Sequence, residues 1–126
     1  MSKKIKKIKK HPNNKKFKIE EVLIHTRKGK PRNNFNGDLI RMQSQRYKLF
    51  ATNTTCVHCG LEAQYFMMEK QDVDLEYHFN LFAMKDGKEI MFTKDHIIPK
   101  SKGGTNTMDN YQTMCAPCNS KKGDTI

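Results

Sequence analysis

Two groups of residues in this chain have the types and spacing to do chemistry. The first is its four cysteines, Cys56, Cys59, Cys115 and Cys118, in the pairs CVHC and CAPC. A two-residue gap lets both thiolates of a pair reach one ion at the Zn–S distance of about 2.3 Å. Two such pairs and no fifth cysteine point to a tetrathiolate site for a structural Zn²⁺. Disulfides and a redox couple are the alternatives. The first belongs to secreted chains, and the second lacks a βαβ context and would have to occur twice. His58, inside the first pair, reads as exposed or phosphate-facing because four thiolates already complete a tetrahedron.

The second group is Asp95, His96, Asn110 and Asn119, with Lys100, Lys102, Lys121 and Lys122 around them. A carboxylate and an amide oxygen suit a hard divalent ion such as Mg²⁺. An imidazole beside them suits a general base on water, and the lysines suit phosphate. Ion, base and cations together are the requirements of phosphodiester hydrolysis: a nucleophile, stabilisation of charge on the phosphorus oxygens, and help for the leaving oxygen. Neighbours in a regular strand point to opposite faces. Asp95 and His96 can therefore share a site only where the strand bends or ends, and Pro99 with Gly103-Gly104 supplies that ending.

These residues must be positioned by a small scaffold. The chain has 126 residues, 36% of them hydrophobic, and no tryptophan. One domain with a modest core is expected, so a metal cross-link would contribute visibly. No run approaches the 18 apolar residues of a membrane span, and the charged start MSKKIKKIKK has no apolar stretch of a secretory signal. The net charge is +11, of which +8 comes from the lysines of residues 1–16. Lys3, Lys4, Lys6 and Lys7 belong to this tail, which reads as disordered and as a contact for a polyanion. A solvated tail that only aids solubility is the plainer reading.

Residues 17–52 read as an N-terminal segment. FKIEEVLIHTR (17–27) fits a strand or a helix, and residues 28–37 read as loop. Asp38 is expected to cap a helix running to about Phe50, with Leu39, Met42, Leu49 and Phe50 inward. Residues 53–126 read as the zinc-stapled domain. EAQYFMME (62–69) fits a strand. LEYHFNLFAM (75–84) alternates apolar and polar, Lys85-Asp86-Gly87-Lys88 is a hairpin turn signal, and EIMFTKD (89–95) is the returning strand. Tyr111–Cys115 reads as a strand and Ala116–Lys122 as a helix, with Pro117 in its first turn and Gly123 as its stop. His11, His25 and His78 read as surface or loop histidines. Met67, Met68, Met84, Met91, Met108, Met114, Tyr65, Tyr77, Phe79 and Phe92 read as core.

The stretch DHIIPKSKGGTNTMDNYQTMCAPCNSKKGD, residues 95–124, resembles the HNH endonuclease motif in its variant with asparagine last. The pair Cys56/Cys59 resembles the zinc-bearing branch of that family. The resemblance implies an α+β chain carrying a ββα-metal motif with a β-hairpin extension, stapled by the four-cysteine zinc and preceded by a basic tail and a short helix. It implies His96 as general base, Asp95 and Asn119 as ligands of one catalytic Mg²⁺ or Mn²⁺, and Asn110 as the residue that restrains the loop and orients the His96 ring. Asn119 stands where many members have histidine, and its harder oxygen favours Mg²⁺ or Mn²⁺ over softer ions.

The expectation is a metal-dependent DNA endonuclease, a phosphodiester hydrolase that nicks double-stranded DNA as a monomer. It would act in the cytoplasm of a bacterial or phage-infected cell, with no membrane or small-molecule partner. The alternative is a catalytically silent, zinc-stabilised module that binds nucleic acid through its lysines. A protein-interaction adaptor is a third class, distinguished by lacking salt-dependent affinity for nucleic acid.

Overall fold

A computed structural model describes residues 8–27 and 29–123. Seven strands, three α-helices and three short 3-10 turns occur among them. In chain order the strands and α-helices are β1 (Ile8–Lys10), α1 (Ile19–Leu23), β2 (Asn33–Phe35), β3 (Asp38–Ile40), α2 (Gln45–Thr52), β4 (Tyr65–Gln71), β5 (His78–Lys85), β6 (Lys88–His96), β7 (Tyr111–Cys115) and α3 (Ala116–Lys122). An antiparallel five-stranded sheet has the order β1-β4-β5-β6-β7, and β2 and β3 form a separate hairpin. No helix among the described residues is long and apolar enough to cross a membrane.

Period-two alternation builds both faces of the sheet. Phe66 and Met68 of β4, and Phe79, Leu81 and Ala83 of β5, point into the main core, where they meet Phe92 and Met114. Val22 and Leu23 of α1, Phe35 and Ile40 of the small hairpin, and Tyr47 and Phe50 of α2 cover that face. The core therefore runs continuously across the expected break at residues 52/53. The opposite face carries a smaller cluster of Tyr65, Met67 and Phe82. Beside it the Lys10 ammonium lies 2.6 Å from Glu89 and 3.2 Å from Glu69 and sits over the Phe82 ring.

The turn between β5 and β6 falls where the sequence predicts it. Asp86 and Gly87 both adopt positive φ, 52° and 75°, as a type I′ turn needs. β4 begins three residues later than expected, and β5 begins at His78 rather than Leu75, which is 97% exposed. Met84 and Met108 are exposed rather than core, whereas Met67, Met68 and Met114 are buried.

The N-terminal third departs further from expectation. Residues 8–16 are not disordered: Ile8–Lys10 adds an edge strand to β4, and the His11 N–H donates to the Met68 carbonyl at 2.9 Å. Lys3, Lys4, Lys6 and Lys7 lie outside the described residues. Asp38 is not a helix cap. It starts β3 and pairs with His11 at 2.9 Å, and the helix begins at Gln45 with Ser44 as its cap. Leu39 is half exposed, while Met42, Leu49 and Phe50 are buried. Asn36-Gly37 closes the β2–β3 hairpin with φ of 57° and 100°, inside a stretch expected to be loop.

Candidate metal clasp and catalytic cleft

The two cysteine pairs meet at the end of β7. Cys115 is the last residue of that strand and caps α3, which places Cys118 within the first turn of the helix. The first pair lies on a tight turn: the Gly60 N–H donates to the Cys56 carbonyl at 3.0 Å. The Val57 N–H bonds the Thr113 carbonyl at 3.0 Å, and the Thr113 hydroxyl bonds the Asn53 carbonyl at 2.7 Å, so the turn is tied to β7. The four Sγ atoms lie within 4.8 Å of one another, and Cys59 and Cys115 are 3.7 Å apart. A tetrahedral zinc with Zn–S bonds of about 2.3 Å requires sulfurs roughly 3.8 Å apart. The donor set fits that ion.

The thiols already titrate unequally. Burial would raise Cys56, but N–H groups of Cys59, Cys115 and His58 turn toward its sulfur and bring it down to about 6. Burial raises Cys115. Burial and the crowding of the other three sulfurs push Cys118 up to about 12. A first thiolate is thus favoured, and a second or third needs a cation to hold it.

The second site forms where β6 ends. Asp95 is 6% exposed and stands opposite Gln112 in the β6–β7 register, and His96 stands opposite Tyr111. The Gln112 amide donates to Asp95 Oδ2 at 2.9 Å. Beyond His96 the chain leaves the sheet, and Asp95 and His96 line one cleft of about 320 Å³ together with Asn119, Lys94, Lys100 and Lys122. The Asn119 amide nitrogen donates to the Thr93 hydroxyl at 2.9 Å, leaving the amide oxygen as its available ligand atom. A buried carboxylate and an amide oxygen on one cleft fit a hard divalent ion.

Asn110, 7% exposed, clamps the connecting loop. Its Oδ1 accepts from the Ile98 N–H at 2.9 Å, and its Nδ2 donates to the carbonyls of Ile98 at 3.0 Å and Thr105 at 2.9 Å. Its own carbonyl accepts from the Ile97 N–H at 2.8 Å. Gly104 is required beside it, since a Cβ there would lie 1.7 Å from the Ile98 carbonyl oxygen. These bonds go to the loop and not to the His96 ring. The ring is held by Asn106, with Oδ1 2.8 Å from Nε2, and by the Tyr111 ring at 5.0 Å, edge to face.

The surrounding lysines divide. Lys100, Lys102 and Lys121 are exposed, as phosphate contacts require. The Lys122 side chain is 12% exposed, and its ammonium lies 3.3 Å from Asp95 Oδ2 and 2.9 Å from the His96 carbonyl. His58 is exposed and lines a second cleft with Lys121 and Lys122. His11, His25 and His78 are half-buried, each with an aromatic or charged neighbour. Gln112, Asn106, Tyr111 and Thr93 contact the candidate residues without having been singled out in the sequence, because cross-strand register and loop closure bring them in. Gln45 is more distant still: it bonds the Asn106 carbonyl and the Tyr111 hydroxyl, both at 3.0 Å, from the start of α2.

Residues 84–126 match the family model described as HNH endonuclease. No curated protein and no solved structure matches the chain. The matched segment contains Asp95, His96, Asn110, Asn119 and the second cysteine pair, while Cys56, Cys59 and Gln45 lie outside it. Residues 84–126, which carry the strand end, the clamped loop and the helix of this cleft, are thus the part of the chain that is similar to the HNH endonuclease family.

Proposed function

We propose that the chain is a metal-dependent DNA endonuclease with a ββα-metal centre, one catalytic divalent ion and a structural zinc. The observation that carries this reading is the convergence of Asp95, His96 and Asn119 on one lysine-lined cleft inside the segment that matches the HNH family. Asp95 and the Asn119 oxygen would hold Mg²⁺ or Mn²⁺. When bound, that ion supplies charge stabilisation for the phosphorus and leaving oxygens.

The chain's own groups do the rest. Asn106 fixes the His96 ring, and the imidazole takes the proton of the attacking water. Lys94, Lys100, Lys102 and Lys121 neutralise backbone phosphates, a contact that positions without reading sequence. The four thiolates hold zinc and pin the first turn to α3. One cleft cuts one strand, so a monomer nicks double-stranded DNA. The reading goes with a cytoplasmic setting in a bacterial or phage-infected cell.

One observation favours a second reading. The Lys122 ammonium already neutralises Asp95, as it would in a zinc-stabilised nucleic-acid-binding module without catalysis. Supercoiled plasmid with Mg²⁺ or Mn²⁺ separates the two. Conversion to open circle, blocked by EDTA and lost in His96→Ala, is the expected result. Intact plasmid across several divalent ions would leave the binding module.

A further inference from the structure

Lys122 follows Asn119 by three residues, so the two share a face of α3. That face turns toward the end of β6. The Lys122 ammonium bridges the Asp95 carboxylate at 3.3 Å and the His96 carbonyl at 2.9 Å. Both side chains of the ion pair are largely buried, 12% and 7% exposed. A buried carboxylate without a counter-charge is costly, and Lys122 is the cation that meets this one. It does so at the carboxylate that would hold the divalent ion.

We propose that Lys122 is a tethered counter-ion for Asp95 that competes with the catalytic metal and is released by it, a reading that rests on the metal-site assignment above. The ammonium keeps the site folded without metal, and its charge sets a threshold against metal binding. A phosphate in the cleft offers the displaced ammonium a new partner. Substrate and metal then favour each other's binding, and the effect is reciprocal. Lys122 is thus a positioning residue, and its position differs from that of an outward phosphate contact such as Lys121.

The test is Mn²⁺ binding by zinc-loaded full-length protein, followed by electron paramagnetic resonance. The proteins are the wild type, Lys122→Gln and Lys122→Met, with Asp95→Asn as the control for site occupancy. Gln keeps donors for Asp95 and the His96 carbonyl, so it retains the fold if Met does not. Removing one positive charge from within about 4 Å of the seat should tighten Mn²⁺ binding about tenfold or more. In the wild type, a short duplex with a phosphorothioate at the cleavage positions should tighten Mn²⁺ binding, and Lys122→Gln should lose most of that gain. Equal Mn²⁺ affinity in wild type and Lys122→Gln, with Asp95→Asn abolishing binding in both backgrounds, overturns the counter-ion role and leaves the metal site standing. Absence of any Asp95-dependent Mn²⁺ binding overturns both.

Discussion

Nε2 of His96 stands 2.8 Å from Oδ1 of Asn106. The amide oxygen calls for a proton on Nε2, which leaves Nδ1 as the basic nitrogen. Asn106 is held in turn through its carbonyl by Gln45, which also accepts from the Tyr111 hydroxyl. A residue of the N-terminal segment therefore supports the position of the His96 ring.

Asn106→Ala should lower the cleavage rate about ten- to a hundredfold while Mn²⁺ affinity stays as in the wild type, because a misaimed base costs rate and not binding. His96→Ala should lose more, about 10²- to 10⁴-fold. Single-turnover nicking with parallel metal titration checks both. An Asn106→Ala protein with full rate would mean that Tyr111 alone orients the ring.

The loop between β6 and β7 depends on Asn110 and Gly104. Asn110→Ala removes three side-chain hydrogen bonds and should cost about 2–4 kcal/mol, since it leaves backbone groups of the loop unpaired. Gly104→Ala puts a methyl 1.7 Å from the Ile98 oxygen and 2.9 Å from Asn110 Nδ2, so it must open the same loop. Urea unfolding gives the stability, and activity should fall in both variants.

Removing zinc should unfold more than the clasp. Structural zinc sites are worth on the order of 10 kcal/mol of coupled folding energy, comparable to the whole stability of a small domain. The main core joins α1, α2 and the sheet, so the loss should extend beyond residues 53–126. Circular dichroism before and after a strong chelator measures this. An unchanged spectrum with no bound zinc would refute the clasp.

Acid should weaken the fold through His78. Burial, aided by the nearby Arg46 charge, holds the His78 imidazole below its ordinary value of 6.5, with Asp74 and Glu69 opposing. The unfolded chain then binds this proton first. Stability is full above pH 6.5 and declines as pH falls below it. His78→Gln should flatten that part of the profile, as read from denaturant midpoints at pH 7.5 and 5.5.

Local signals in the sequence were enough to place the β5–β6 turn, because Asp86-Gly87 carries its own backbone preference. They also placed α3, bounded by Pro117 and Gly123, and the two cysteine pairs. The Asp95-His96 pair at a strand end was readable for the same reason: the proline and glycines that end the strand are its neighbours. Nothing local revealed that Asp38 starts a strand, since its carboxylate is matched to His11, 27 residues away. Asn36-Gly37 was a turn signal, but its strands are three residues each and show too little alternation to read. The partners of the candidate site came only with the tertiary structure. Gln112 and Tyr111 are set opposite Asp95 and His96 by register, Asn106 by loop closure, and Lys122 by the docking of α3 on β6. Register and docking are decided by burial summed over the whole core, so no window of sequence contains them.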